Sequence, residues 1–121
     1  MPIRIQNRRE DLRRNIPGFQ DVEIEFSLAD GVKHRFPLIE LSVQGGSFRT
    51  ESKLATLTVG LAINGALLQV GELEISVHLE VLHVSPIDGS LYQCGLRFYP
   101  ASENDYNELT GLVSRLENLP E

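Results

Sequence analysis

The chain has 121 residues and a formal net charge of −6 at pH 7, with 41% hydrophobic and 23% charged residues. These values are those of one globular domain with a modest core, and no apolar run approaches the roughly 18–20 residues that a membrane-spanning helix needs. Because Cys94 is the single cysteine, an internal disulfide is excluded and a cytoplasmic location is expected. The negative net charge argues against broad nucleic-acid binding.

Positive charge is concentrated at the N-terminus. Residues 1–14 contain five of the eleven Lys+Arg residues and two of the seventeen Asp+Glu residues, about +3, which leaves about −9 for the remaining chain. The planar guanidinium of arginine binds phosphate bidentately, contacts the O6/N7 edge of guanine and stacks on flat rings. We therefore predict that residues 1–15 form a flexible, arginine-rich arm that captures an anion.

The body of the chain, residues 16–121, has the apolar/polar alternation of β-strands, interrupted by turn-forming residues. Pro37 predicts an edge position or a bulge, because proline cannot donate to a strand ladder. Asn64-Gly65 is typical of a tight hairpin, and residues 85–90 have the composition of a loop. The strands are predicted at 22–28, 32–42, 47–49, 57–63, 66–70, 73–84 and 91–99.

After position 100 the apolar period changes to 3.6 residues, which predicts a helix. Ser102 is a candidate N-cap, and Glu103 and Asp105 would lie in the first turn, where the helix dipole favours anions. We predict an all-β domain, a six- to seven-stranded antiparallel β-barrel or a sandwich, with one C-terminal α-helix at about 102–118. The apolar stripe that would pack this helix consists of Tyr106, Leu109, Leu112, Val113 and Leu116.

Two segments combine a ligand-binding composition with an exposed or turning backbone. The first is RREDLRR at residues 8–14, and the second is ELSVQGG at residues 40–46. In the second segment, Glu40 and Ser42 lie two apart on one strand, so both side chains point to the same face. A carboxylate and a hydroxyl there can accept from and donate to the polar edge of a base, and Gly45 permits close approach of a ligand.

These two segments resemble the signature of PilZ domains, bacterial receptors for cyclic di-guanylate (c-di-GMP). That signature is Arg-x-x-x-Arg near the N-terminus followed by Asp/Asn-x-Ser-x-x-Gly. Here the first element is Arg9 to Arg13 and the second is Glu40 to Gly45, with 26 residues between Arg13 and Glu40. The late strand segment GLRF at residues 95–98 and the terminal helix are also similar to the family pattern.

The resemblance implies a six-stranded split barrel whose outer face and N-terminal arm hold c-di-GMP. The arginines would contact phosphates and guanine edges or stack on the bases, the carboxylate and hydroxyl would bind a guanine, and the glycine would keep the surface open. The implied ligand-binding residues are Arg8, Arg9, Arg13, Glu40, Ser42 and Gly45.

The resemblance also implies a function. The chain would be a cytoplasmic signalling receptor without enzymatic activity and without a cofactor, with c-di-GMP as its ligand. Ligand binding would order the arm against the barrel and change the surface offered to a protein effector. By family resemblance that effector belongs to the flagellar, pilus or exopolysaccharide machinery, and the output is motility or biofilm regulation.

Position 40 departs from the family pattern and keeps a second hypothesis open. Glutamate retains the carboxylate but adds one methylene, which moves the oxygens by about 1.5 Å. Since binding sites require geometry held within about 0.5 Å, the chain is alternatively a PilZ-like protein-interaction module that binds no nucleotide. In that alternative, Arg9 and Arg13 belong to a solvated tail or pair with surface acids such as Glu23 and Glu25, and Ser42 only shapes a strand-to-turn corner.

Other site classes receive less support from the sequence. His78 and His83 differ in parity and are expected on opposite sides of a regular strand, and no Cys/His/Asp cluster has metal-ligand spacing, so we predict no metal site. No catalytic triad or phosphate-binding loop is recognisable. Barrels that bind single-stranded nucleic acid interleave aromatic and basic residues, whereas this barrel is acidic and the chain has no Trp. Arg97 is expected to face solvent.

Overall fold

The computed structural model describes residues 3–4, 22–51 and 57–117. Most of the N-terminal arm, including Arg8, Arg9 and Arg13, lies outside these residues. The described elements are β1 (Ile3–Arg4), β2 (Glu23–Ser27), β3 (Lys33–Leu41), β4 (Gly45–Thr50), β5 (Ala62–Val70), β6 (Leu73–Asp88), β7 (Leu91–Pro100) and α1 (Glu103–Glu117).

Six strands close into an antiparallel barrel in the order β3-β2-β5-β6-β7-β4, and a β4–β3 pairing completes the circle. Strand β1 adds to β3, with Ile3 opposite Leu41 and Arg4 opposite Glu40. The predicted antiparallel barrel with one C-terminal helix is confirmed. Closure leaves fewer open edges than a sandwich of the same strands would have.

Strand β3 changes its pairing around Pro37. On one edge Pro37 lies opposite Glu23 of β2, and on the other edge pairing with β4 begins only at Leu38. A register shift follows between Leu38 and Glu40. The edge and bulge features predicted from the proline therefore occur together, directly before the segment that contains Glu40.

The barrel interior is filled by the inward-facing residues of the alternating strands. Phe36 and Phe48 stack with ring centroids 4.3 Å apart and an interplanar angle of 11°, and Phe26 packs beside them at 6.0 Å from Phe48. Cys94 is fully buried, and this burial raises the pKa of its thiol to about 12. The thiol is therefore a core group, which is a common environment for a free cysteine.

The prediction of a hairpin at Asn64-Gly65 is wrong, because β5 runs through both residues. A two-residue type I′ turn needs positive φ at both central residues, whereas only Gly65 has it, at 82°. The pairing with β6 shifts register between Ile63 and Ala66, so the dipeptide forms a β-bulge. The chain reverses instead at Gly71 and its neighbour, between β5 and β6.

The prediction of a loop at 85–90 is also wrong for most of that segment. Strand β6 continues to Asp88, and Pro86 lies opposite Tyr92 of β7. The β5 partner of β6 ends at the pair Ala62 and Glu80, so Pro86 lies in a stretch with β7 on one edge only. Proline is tolerated at such edge positions, where it interrupts no second ladder.

Helix α1 begins after Ser102, as the capping pattern predicts. The backbone N–H of Asp105 donates to Ser102 Oγ at 3.1 Å, and that hydroxyl donates back to Asp105 Oδ2 at 2.6 Å. The backbone N–H of Ser76 on β6 donates to Asp105 Oδ1 at 2.9 Å, which fixes the helix start to the barrel. In the described part of the chain, no helix has the length and apolar character needed to cross a membrane.

The predicted apolar stripe of α1 is confirmed except at its first residue. Tyr106 is 49% exposed. The remaining stripe residues join the barrel core and are at most 6% exposed: Leu109, Leu112, Val113 and Leu116.

Candidate functional site

The turn between β3 and β4 is organised by Ser42. Its Oγ accepts hydrogen bonds from the backbone N–H groups of Gln44 and Gly45, at 3.3 and 3.2 Å. Its own N–H donates to the carbonyl of Gly45 at 2.7 Å. Ser42 therefore shapes a strand-to-turn corner, and its half-buried side chain also faces the cavity described below.

Gly45 is required at this corner because the backbone of β7 passes directly against it. A Cβ at position 45 would overlap the carbonyl oxygen of Leu96. At position 46 a Cβ would come within 2.6 Å of the carbonyl oxygen of Glu40. The two consecutive glycines thus let three strands approach closely, and Gly45 leaves the outer surface there without a side chain.

Glu40 is held in place by a neighbouring strand. The hydroxyl of Ser47 on β4 donates to Glu40 Oε1 at 2.9 Å. Ser47 is 4% exposed and is the buried polar residue of the described barrel. A hydrogen bond from a buried hydroxyl restricts the rotamers of the longer glutamate side chain, so the carboxylate has a defined position over β4.

The barrel residues implied by the resemblance line one cavity. Glu40, Ser42 and Gly45 form one side of an open cavity of about 420 Å³ on the outer face of the barrel. Arg97 and His83 form the other side. Small-molecule sites have volumes of roughly 300–1,000 Å³, so the cavity is large enough for a nucleotide base with part of its sugar.

Arg97 contributes positive charge to this cavity. It is exposed, as predicted, and its guanidinium carbon lies 5.6 Å from the ring centroid of Tyr99. The Tyr99 hydroxyl donates to Glu80 Oε1 at 2.9 Å, and this hydrogen bond and burial raise the pKa of the Tyr99 phenol. The cation–π contact with the anchored ring holds the Arg97 guanidinium beside Tyr99.

Sequence reasoning did not include His83 in the site. The expectation that His78 and His83 face opposite sides of β6 is wrong, because a register shift lies between Val81 and His83. The additional residue, Leu82, turns His83 to the outer face, where His78 also lies. The irregular apolar alternation at Leu82 and Val84 was the available signal of this bulge.

The predicted site residues are therefore brought together in part. Glu40, Ser42 and Gly45 share the cavity, whereas Arg8, Arg9 and Arg13 lie outside the described residues. Strand β1 does connect the start of the chain to the site, because Arg4 is the backbone partner of Glu40.

Glu23 and Glu25, the acids suggested above as alternative partners of the arm arginines, already have basic neighbours within the barrel. Arg35 Nη2 lies 2.6 Å from Glu25 Oε1, and Arg35 Nη1 lies 3.8 Å from Glu23 Oε1. The hydrogen bond from Arg35 holds the pKa of the Glu25 carboxyl below its ordinary value. Among the described residues, no group of three or more His, Cys, Asp or Glu side chains is arranged to hold a metal ion.

Comparison by sequence identifies no relative: no family model matches the chain, and no curated protein does. Comparison of the fold with solved structures gives clear similarity. The chain is similar to the PilZ domain of YcgR from Escherichia coli, solved with c-di-GMP, with a TM-score of 0.67 and 23% identity. This match covers 80% of the chain and 82% of that domain.

Two further structures are similar over about four fifths of the chain. The K. pneumonia MrkH–c-di-GMP complex matches with a TM-score of 0.74, 21% identity and coverage of 81% of this chain and 47% of MrkH. The Bacillus subtilis inhibitor of motility, MotI/DgrA, matches with a TM-score of 0.62, 14% identity and coverage of 83% and 47%. The chain thus spans slightly less than half the length of MrkH and MotI, and its closed six-stranded barrel with one C-terminal helix is the fold of a PilZ domain.

Proposed function

We propose that the chain is a c-di-GMP receptor without enzymatic activity of its own. The ligand would bind between the arginine arm, through Arg8, Arg9 and Arg13, and the barrel cavity that contains the 40–45 segment. The observation that carries this proposal is that Glu40, Ser42 and Gly45, chosen from sequence, line one cavity of about 420 Å³ together with Arg97.

The chemistry of the cavity suits a guanine dinucleotide. A carboxylate such as that of Glu40 accepts from the N–H groups of a guanine edge, while guanidinium groups bind phosphates bidentately or grip O6 and N7. The pairing of β1 with β3 supports the proposal because it brings the start of the arm beside Glu40. Ordering of the remaining arm by the ligand would change the surface offered to a partner, since binding energy shifts the population toward the docked state.

The structural neighbours support the same ligand. YcgR and MrkH were solved with c-di-GMP, MrkH is described as a c-di-GMP-dependent transcription regulatory factor, and MotI as an inhibitor of motility. We accordingly propose a cytoplasmic bacterial signalling role, with motility or biofilm control as the output and a protein effector as the partner. The chain spans less than half the length of MrkH and of MotI, so we propose this wider role from the PilZ-fold domain alone.

Isothermal titration of c-di-GMP tests the proposal. We expect saturable binding by the wild type and loss of at least tenfold in affinity for Arg9→Ala, because a charge-assisted bidentate contact is removed. The matched control is Arg49→Ala, which removes an exposed arginine of β4 that does not line the cavity. Equal affinities of wild type, Arg9→Ala and Arg49→Ala would contradict a role for the arm.

One observation favours a second candidate, a PilZ-fold interaction module that binds no nucleotide. The carboxylate of Glu40 already accepts a hydrogen bond from Ser47, so a protein group occupies one of its oxygens. In this case the wild type would release no heat with c-di-GMP, whereas Glu40→Asp would recover binding. Tight wild-type binding that is lost in Arg9→Ala would reject the second candidate.

A further inference from the structure

A row of four outward-facing residues crosses the cavity from one wall to the other. Glu40 of β3 lies opposite Ser47 of β4, Ser47 lies opposite Gly95 of β7, and Gly95 lies opposite His83 of β6. Strands in a sheet are about 4.8 Å apart, so the Cα atoms of Glu40 and His83 are separated by roughly 14 Å along the row. The two long side chains therefore stand at opposite ends of a floor made of Ser47 and Gly95.

The imidazole of His83 is seated on the backbone of Gly95. A Cβ at position 95 would overlap Nε2 and Cδ2 of the His83 ring and come within 2.9 Å of its Cε1. Contact with three ring atoms indicates that the ring lies across the glycine rather than extending away from the sheet. Gly95 is buried although it faces outward, and His83 remains exposed.

The position of this ring depends on two local features. The bulge at Leu82 turns His83 to the outer face, and the missing side chain at Gly95 provides the space in which the ring lies. Bulges commonly redirect a side chain beside a functional site. An aromatic ring over a cross-strand glycine also occurs as a packing device alone, so the cavity location is the observation that points to a ligand.

We propose that His83, supported by Gly95, is a platform on which a purine ring of the bound nucleotide stacks. This inference rests on the proposed function and extends it, because it assigns the β6–β7 wall to the base and not to the phosphates. A flat ring with one face on the protein can offer its other face to a base, as aromatic side chains do in nucleic-acid sites. The carboxylate at the opposite end of the row would then meet an edge of the same base.

Titration of c-di-GMP into His83 variants tests the platform. Stacking of one base is worth about 1–3 kcal/mol, so His83→Ala should raise Kd by about 5- to 150-fold. His83→Phe keeps a flat ring and should stay within about threefold of the wild type. The control is His78→Ala, which removes an exposed imidazole of the same strand outside the cavity and should leave Kd within about twofold.

The outcomes separate this inference from the proposed function. Wild-type binding with equal Kd for His83→Ala overturns the platform alone, and no wild-type binding overturns both. Loss of binding in His83→Phe equal to that in His83→Ala also overturns it, because charge or hydrogen bonding would then explain the contribution of the imidazole.

A second measurement uses the unaltered protein. The ring C–H proton signals of His83, assigned by their disappearance in His83→Ala, should move upfield when c-di-GMP is added, as stacking places them in the ring current of the base. Those of His78 should stay in place. Unmoved His83 signals at saturating ligand would overturn the platform, whatever the affinities of the variants.

Discussion

Two regions of the molecule share strand β7 and are built in opposite ways. On the inner face of β7, Leu96 and Phe98 are at most 4% exposed and pack into the core that helix α1 completes. On the outer face, the alternate positions are Gly95 and Arg97, which line the cavity. The core region consists of side chains that fill space, whereas the cavity region depends on residues that leave it open.

The difference indicates which measurement each region should affect. Removing side-chain volume from the core costs transfer and cavity free energy, whatever the ligand does. Adding volume to the cavity region forces strands apart or fills the site, since Gly45 and Gly46 lie against backbone atoms and Gly95 lies against the His83 ring. Substitutions in the core should therefore change the free energy of unfolding without changing Kd, whereas substitutions at the cavity should change both.

The largest loss of stability is expected from Leu109→Ala in helix α1. Leu109 is fully buried, and truncation of such a leucine costs about 2–5 kcal/mol. Urea denaturation measures the free energy of unfolding, and the Kd for c-di-GMP of the folded protein should be unchanged. Tyr106→Ala on the same helix is the control, because Tyr106 is 49% exposed and its truncation should cost less than about 1 kcal/mol.

A large change in Kd for Leu109→Ala, measured well below its unfolding midpoint, would contradict the separation of the two regions. Equal destabilisation by Leu109→Ala and Tyr106→Ala would show that α1 does not contribute to the core as its burial indicates.

The next effect in size is expected from Gly45→Ala. Its Cβ would overlap the carbonyl oxygen of Leu96, which cannot move without displacing β7, and overpacking of this kind costs about 1–3 kcal/mol. Chemical denaturation should show this loss, and titration should show weaker c-di-GMP binding because β4 lines the cavity. Gly111→Ala is the matched control: a Cβ there would have Nη1 of Arg115, in the same helix, as its nearest neighbour at 3.7 Å, and alanine in a helix interior should stabilise by up to about 1 kcal/mol.

If Gly45→Ala had the unfolding free energy of the wild type, the close approach of β4 and β7 would not require glycine. If it lost stability but kept the wild-type Kd, the cavity would tolerate movement of its floor and the expected coupling would be wrong.

The fold was predictable from sequence because most strands alternate and the helix carries a cap and a stripe. Closure into a six-stranded barrel was not contained in the alternation and came only through the family resemblance, and the strand order was not predicted. The misplaced turns had local causes. Asn64-Gly65 forms a bulge because only the glycine takes positive φ, and Pro86 remains in a strand because β6 has one partner there.

Half of the candidate site was predictable as well. Glu40, Ser42 and Gly45 follow a sequence spacing that the fold converts into one cavity. His83 and Ser47 were not predictable, since their positions depend on a bulge in β6 and on the register between β3 and β4. Such cross-strand neighbours have no fixed separation in sequence, so only the pairing of the strands brings them to the site.

A smaller effect, on the order of 1–1.5 kcal/mol, is expected from Ser47→Ala. The substitution removes the hydrogen bond to Glu40 Oε1. Hydrogen bonds to charged groups contribute about 1.5–3 kcal/mol to stability. The contribution is smaller here because the carboxylate is half-exposed. A double-mutant cycle with Glu40→Ala, followed by urea denaturation, should give a coupling free energy of about 1 kcal/mol. Additive losses would show that the hydroxyl does not hold the carboxylate.

The smallest effect is expected at the start of α1 and depends on pH. Donation by the Ser102 hydroxyl and by the Ser76 N–H holds the pKa of the Asp105 carboxyl below its ordinary value. The folded state therefore favours the charged form, and its stabilisation is present above about pH 4 and is lost as the pH falls through the lowered pKa. Asp105→Asn should destabilise by about 0.5–1 kcal/mol at pH 6, and the difference from wild type should narrow below pH 4 in urea denaturation. Glu103→Gln, an exposed first-turn control, should show a smaller difference, and a gap for Asp105→Asn that widened in acid would contradict this assignment.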